Sequence, residues 1–115
     1  MYCEINDVAV FCGYQTFSNT TIPTISQVEE IIKIVSNEID YFLSLKKINI
    51  DKNDEKIKSI LKLYTMMGAS AIILRTYLNN NQEGGAMLEV YESRYRDFIT
   101  NIKKYFMSFT AVGMD

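Results

Sequence analysis

The sequence predicts an all-α protein: a small antiparallel helical bundle of three long helices, with a short N-terminal helix before it and an extended C-terminal tail after it. Three observations carry that prediction. Apolar residues recur at steps of three and four along three separate stretches, each about twenty residues long. The breaks between these stretches are polar and rich in Asn, Asp and Gly. The single proline, Pro23, stands ahead of the first long stretch and inside none of them. With 115 residues, 48% hydrophobic and 23% charged, the chain has the make-up of one globular domain rather than of a disordered segment.

The opening segment, residues 1–13, reads as a short helix. Asn6 or Asp7 is available as its cap, Val8, Phe11 and Cys12 form its apolar side, and Gly13 ends it in the left-handed conformation. Residues 14–22 show no helical period and are rich in Ser, Thr and Asn. They read as an extended connector with Tyr14, Phe17 and Ile22 as anchors.

The long helix of residues 24–46 follows, roughly 35 Å at 1.5 Å per residue. Thr24 is placed to cap it, with Gln27 three positions on to close a capping box. Val28, Ile31, Ile32, Val35, Ile39, Phe42 and Leu43 make one stripe, and Glu29–Lys33 has the favourable order for an i,i+4 pair. Residues 47–53 are a polar loop that offers Asp51 or Asn53 as the next cap.

The third helix spans residues 54–79, with Ile57, Ile60, Leu61, Tyr64, Met67, Ala71, Leu74 and Leu78 on its main stripe. Its middle, Gly68-Ala69-Ser70-Ala71, is an expensive choice for a helix interior, because Gly costs about 1 kcal/mol there. Gly68, Ala69 and Ala71 make sense where another helix backbone crosses closely, which puts the centre of the core at this point. Asn79 to Gly85 reads as a turn. The fourth helix spans residues 86–107, with Leu88, Tyr91, Tyr95, Phe98, Ile99, Ile102 and Phe106 on one face and Glu92–Arg96 paired on another. The domain is thus residues 1–107. Residues 108–115 form a tail whose Phe109, Val112 and Met114 are too apolar for a solvated end, so a partner is expected to order it.

No residue pattern carries catalysis. There is no histidine, which removes the commonest general base and the commonest transition-metal ligand. Glu29, Glu30, Glu38, Glu89 and Glu92 lack the Glu-x-x-His partners of a bundle metal site and read as solvated helix faces. Gly84-Gly85 lacks the strand and the Lys-Ser/Thr of a phosphate loop. Cys12, with no base beside it, reads as a small core residue, and Cys3 and Cys12 as reduced thiols. Lys103-Lys104 suits the negative end of a helix dipole and is too small for a nucleic-acid patch. No cofactor and no metal are expected, and the chain is expected not to be an enzyme. The net charge of −2 argues against a module built to hold DNA. No apolar run approaches the roughly 20 residues of a membrane span, and no signal-peptide layout opens the chain.

Partner contacts are expected from the aromatic and apolar residues near the two ends. These are Tyr14 and Phe17 on one side of the chain and Phe106, Met107, Phe109, Val112 and Met114 on the other. Tyr41 and Tyr105 also lie off the main stripes and are further candidates.

The segment Thr20-Thr21-Ile22-Pro23-Thr24-Ile25-Ser26-Gln27-Val28, leading into Ser36-Asn37-Glu38-Ile39-Asp40-Tyr41-Phe42-Leu43, resembles the signature helix of phage head–tail connector (adaptor) proteins. In that family a Thr-x-Pro-Thr-x-x-x-Val approach leads into a helix bearing Ser-x-Glu-Ile-Asp-x-x-Leu. The small-residue centre Gly68-Ala69-Ser70-Ala71 and the tyrosine-bearing last helix, Tyr91 to Ile102, are similar as well. The likeness spans about residues 5–106. It implies a virion structural protein at the neck of a long-tailed phage, made in the bacterial host cytoplasm. Such a protein forms a ring, usually of twelve copies, below the portal protein and presents a surface to the next neck or tail-completion protein. DNA passes as cargo and no membrane is involved. A small helical regulatory module, antitoxin- or anti-repressor-like, is the alternative from another class.

Overall fold

In this computed structural model the described residues are 1–13, 16–78 and 82–107, the side chains of 82–86 excepted. Five helices are found among them: α1 (Ile5–Phe11), α2 (Ile25–Leu45), α3 (Glu55–Thr76), α4 (Gln82–Thr100) and α5 (Ile102–Phe106). No strand occurs among the described residues, so the all-helical class holds. Residues 108–115 lie outside the description, as do Tyr14 and Gln15.

Helix α1 is capped by Glu4, not by Asn6 or Asp7. Asp7 sits three residues in, where its carboxylate accepts the Glu4 backbone N–H at 2.8 Å. It therefore serves the other half of the capping box. Gly13 follows the helix with φ +82°, the left-handed geometry expected of it.

The connector is less extended than expected. Its hydroxyls close on themselves: Ser18 N–H donates to Thr21 Oγ1 at 2.9 Å, and Thr21 Oγ1 donates to the Pro23 carbonyl at 2.6 Å. Ile25 N–H reaches the Ser18 carbonyl at 2.9 Å, and the Ile22–Pro23 peptide is cis. Phe17 packs on the core, whereas Ile22 is 77% exposed and anchors nothing.

Helix α2 starts as the sequence predicts. Thr24 Oγ1 accepts Gln27 N–H at 3.2 Å, and Gln27 Oε1 accepts Thr24 N–H at 2.9 Å. Val28, Ile31, Ile32, Val35, Ile39 and Leu43 are buried along one stripe. The helix ends through Lys47 at φ +57°, with Ile48 N–H on the Leu43 carbonyl and Lys47 N–H on the Ser44 carbonyl. This is a left-handed helix end, a place usually filled by glycine. Helix α3 takes Asp54 as its cap, one residue beyond the expected Asn53. Asp54 Oδ1 accepts both Lys56 N–H and Ile57 N–H, while Asp51 is used inside the loop on Asn53 N–H.

Helix α3 is the hub. Helices α1, α2 and α4 all pack on it, whereas α2 and α4 scarcely meet. It is accordingly buried on several sides, through Ile57, Leu61, Thr65, Met67, Ile73 and Leu74 together with the whole Gly68–Ala71 run. A helix surrounded in this way has no need of a single apolar stripe. Length and apolar composition would also let α3 cross a bilayer, but over half of its apolar window is buried inside the protein, as in any core helix.

Two features of the fourth segment differ from the sequence reading. The glycine pair Gly84-Gly85 lies inside α4, which begins at Gln82 rather than after the pair. The expected continuous helix to residue 107 is interrupted at Asn101, whose side chain donates to Asp97 Oδ1 at 3.0 Å and to the Asp97 carbonyl at 3.2 Å. Beyond that break the chain folds back. The Phe106 ring meets the Phe98 ring edge-on at 5.9 Å, whereas eight residues of unbroken helix would separate them by about 12 Å along the axis.

Candidate interaction surfaces

The small-residue run on α3 is buried as expected, with Ala69 and Ser70 fully enclosed and Gly68 and Ala71 nearly so. What crosses it differs from the expectation. A Cβ built on Gly68 would meet Tyr95 Cε1 and Val35 Cγ1 at 2.8 Å each, so side chains of α4 and α2 fill the space, not a helix backbone. The Tyr95 hydroxyl then donates to Glu38 Oε1 on α2, bridging the two helices that otherwise hold apart. Burial first, and then this bond to a carboxylate, push the Tyr95 phenol well above its ordinary range.

Beside that bridge lies an apolar groove of about 280 Å³ between α2 and α4, open to solvent. Ile34, Val35, Ala71, Ile72 and Tyr95 line it. Ile34 is 54% and Ile72 37% exposed, unusual for isoleucines so close to the core. Arg75 and Glu92 form the polar rim, with Arg75 Nη2 2.6 Å and Nε 2.7 Å from Glu92 Oε2. This pair replaces the expected Glu92–Arg96 pair, because a cross-helix partner on α3 holds Glu92 more closely than its own helix does. The expected Glu29–Lys33 pair is present, loosely, at 3.8 Å.

A second cluster ties the chain's start to the α2–α3 loop. The Tyr2 hydroxyl donates to Asp40 Oδ1, Lys52 Nζ donates to the same oxygen at 3.1 Å, and Lys52 lies 5.5 Å from the Tyr2 ring centroid. A third is aromatic. Phe98 stacks on Tyr64 at 4.2 Å and meets the edge of Tyr105 at 5.2 Å. Hydrogen bonding to Asp97 raises the Tyr105 phenol, with burial second.

The expected partner-contact residues separate into three groups. Phe106 is fully buried against Phe98, so its side chain belongs to the core and is withdrawn as a partner contact. Phe17 is half-buried and packs inward, while Met107 is 53% exposed. Tyr14, Phe109, Val112 and Met114 lie outside the described residues. Tyr41, at 60% exposure, and Leu45, at 55%, join Ile34 as a second apolar line on α2, away from the core stripe. Their spacing of seven and four is legible in the sequence as a second, narrower stripe beside the core one.

Among the described residues no group of three His, Cys, Asp or Glu side chains is placed to hold a metal ion. Both cysteines are free and buried. Burial, with Asp7 and Glu4 adding to it, pushes the Cys3 thiol up to about 12. Burial likewise raises Cys12 to about 11, with Ser70 acting weakly in the other direction. Ser70 Oγ has no other partner than that weak thiol, and Thr65 Oγ1 has no hydrogen-bond partner among the described residues.

The raised thiols set a pH dependence. Both stay largely protonated in the fold to about pH 10, whereas in the unfolded chain they are half ionised near the ordinary value of 9.0. Their contribution to stability is complete below pH 9 and is lost as pH climbs toward the folded values, by up to about 1.4 kcal/mol per pH unit per thiol. Raised tyrosines add to the loss above pH 10. Thermal midpoints should be level from pH 7 to 8.5 and then fall. A midpoint unchanged at pH 10.5 would contradict the burial of these groups.

Neither a family model, nor a characterised protein, nor a solved structure matches this chain.

Proposed function

We propose that the chain is a virion structural protein, a head–tail connector (adaptor) subunit that assembles as a ring below the portal protein and extends the DNA channel toward the tail. The observation that carries this reading is the Thr20–Leu43 pattern and its resemblance to the connector signature. Its Thr-x-Pro-Thr approach is held by the Ser18–Thr21–Pro23 hydrogen bonds and ends in the Thr24–Gln27 capping box. In this reading the subunit is an antiparallel bundle of three long helices with an extended tail over residues 108–115. Its work is done by surfaces, not chemistry. Exposed apolar side chains on α2, above all Tyr41 and Leu45, supply anchors for neighbouring copies. The portal protein, further copies of itself and the next neck component are its partners, and its place is the virion neck.

The test is direct. The purified chain mixed with the portal protein of the same phage genome should give a coaxial ring in electron micrographs. Deleting residues 108–115 should abolish attachment and leave the helical circular dichroism signal unchanged. Attachment at full strength by the shortened chain would remove the tail from this role, and absence of any ring from the full chain would overturn the reading itself.

A further inference from the structure

Charge is unevenly spread along the chain. Residues 46–62 hold six of the twelve cationic side chains and three of the fourteen acidic ones, a net of +3, whereas the remainder stands at −5. Of the three acids, Asp51 and Asp54 are turned back onto loop and helix N–H groups, and the Glu55 side chain is 89% exposed. This basic end of α3 bounds an open cleft of about 490 Å³. Lys52, Lys58 and Lys62 line it, with Glu55 the one acid there among the described residues, and Tyr2 and Leu61 give it an apolar wall.

We propose that this cleft is an anion site for a di- or triphosphate group. Its cations differ in how far they are committed. Lys52 is fixed as a wall: its Nζ donates to Asp40 Oδ1 at 3.1 Å and lies 5.5 Å from the Tyr2 ring centroid. Lys58 and Lys62 stand one turn apart on the same face of α3, a like-charged i,i+4 pair that disfavours the helix. Each has a carboxylate only at loose ion-pair distance, Glu55 at 3.7 Å and Asp7 at 3.5 Å, and neither ammonium makes a hydrogen bond among the described residues. Asp7 is itself held through Oδ2 on the Glu4 N–H. Two half-exposed ammonium groups, with three N–H donors apiece, thus border the cleft without a close acceptor. Ser59 lends no further donor, because its hydroxyl is spent on the Glu55 carbonyl at 2.9 Å. Neither carboxylate bridges the pair, since each reaches one lysine only. A polyphosphate carries more charge and several terminal oxygens, so one molecule can accept from both ammonium groups and cancel their repulsion. The site does not rest on the connector reading, since it uses neither the Thr20–Leu43 pattern nor the exposed apolar line on α2.

Amide resonances of the full chain test it. Pyrophosphate titrated in at constant ionic strength should move the Lys58, Ser59 and Lys62 signals along a saturating curve and leave those of Lys103 and Lys104 in place. Sodium chloride at equal ionic strength should give no saturation. Lys58→Gln combined with Lys62→Gln, both at exposed helix positions, should keep the circular dichroism signal and weaken binding at least about tenfold, the loss of one or more hydrogen bonds to a charged group. Lys103→Gln combined with Lys104→Gln should leave the affinity unchanged. A short single-stranded oligonucleotide decides the source of the phosphates. If it moves the same amides and pyrophosphate displaces it, they are those of nucleic acid; if it moves none of them, they belong to a free di- or triphosphate. An oligonucleotide that binds there and resists displacement would overturn the compact site. Shifts that never saturate, or an equal loss from the Lys103 and Lys104 changes, would also overturn it, since either reduces the effect to general charge attraction.

Discussion

Replacing Phe98 with alanine should cost about 3–5 kcal/mol, the largest loss expected from any single truncation in this chain. Phe98 is fully buried, and three aromatic neighbours depend on it. Its ring stacks on Tyr64 at 4.2 Å and takes the edges of Tyr105 at 5.2 Å and Phe106 at 5.9 Å. The loss has two parts. Transfer of the ring from water and the void it leaves account for most of it, and each broken aromatic pair adds about 0.5–1.5 kcal/mol before relaxation. Relaxation is limited because Tyr64 and Tyr105 are themselves held, Tyr105 by its hydrogen bond to Asp97. A domain of this size has about 5–15 kcal/mol of total stability, so the variant should unfold roughly 10–20 °C lower, as read by circular dichroism on heating. Helix α5 should loosen first, since five residues cannot hold a helix without packing. Phe98→Leu separates volume from aromaticity and should cost only about 1–2 kcal/mol. A Phe98→Ala loss below about 1 kcal/mol would mean that the ring cluster does not carry the end of the fold.

What the sequence made legible is what neighbouring residues decide among themselves. The Thr24–Gln27 box is formed by residues three apart, and it stands where the spacing placed it. Gly13 is similar, because a left-handed turn after a helix selects its own residue type. The α2 core stripe follows from period alone. The departures arise where several local choices compete. Asp51, Asn53 and Asp54 all qualify as caps for α3, and only the loop's hydrogen bonds assign Asp54 to the helix and Asp51 to the loop. Asp7 was legible as a capping residue but not as the far half of the box. Gly84-Gly85 is a strong turn signal, yet α4 runs through it, so helical context outweighs local preference there. Tertiary facts were the least accessible. Glu92 has a basic residue four positions on, and nothing in the one-dimensional pattern says that Arg75, seventeen positions back, is nearer. Phe106 looked like a surface contact because it neighbours an apolar tail. It is core because Asn101 bends the chain back onto Phe98. The groove was invisible for the same reason, since it exists only because α2 and α4 share α3 and meet little beyond the Tyr95–Glu38 bridge.

Substitution at Gly68 should be the sharpest probe of that shared hub. In an open helix Gly→Ala gains about 1 kcal/mol from backbone entropy. Here the new methyl would stand 2.8 Å from Val35 Cγ1 and from Tyr95 Cε1, with Tyr95 Cδ1 at 2.9 Å. Neither neighbour yields easily. Val35 is almost wholly buried, and the Tyr95 ring is tethered through its hydroxyl to Glu38. Overpacking of this kind costs about 1–3 kcal/mol; the helix gain of about 1 kcal/mol offsets part of it, so Gly68→Ala should destabilise by up to about 2 kcal/mol. Gly68→Leu should prevent folding, since it drives a branched side chain into both α2 and α4. A double-mutant cycle identifies the cause. In a Tyr95→Ala background the ring is gone and only Val35 still opposes the methyl, so the Gly68→Ala penalty should shrink by at least about 0.5 kcal/mol, the coupling expected of residues in contact. Urea denaturation of the four proteins measures it. If Gly68→Ala stabilises the wild-type background as it would an exposed helix, the close approach of α2 and α4 side chains over α3 is wrong. A penalty that is the same in both backgrounds would transfer the whole constraint to Val35 and leave the Tyr95–Glu38 bridge as a passive cover over the glycine.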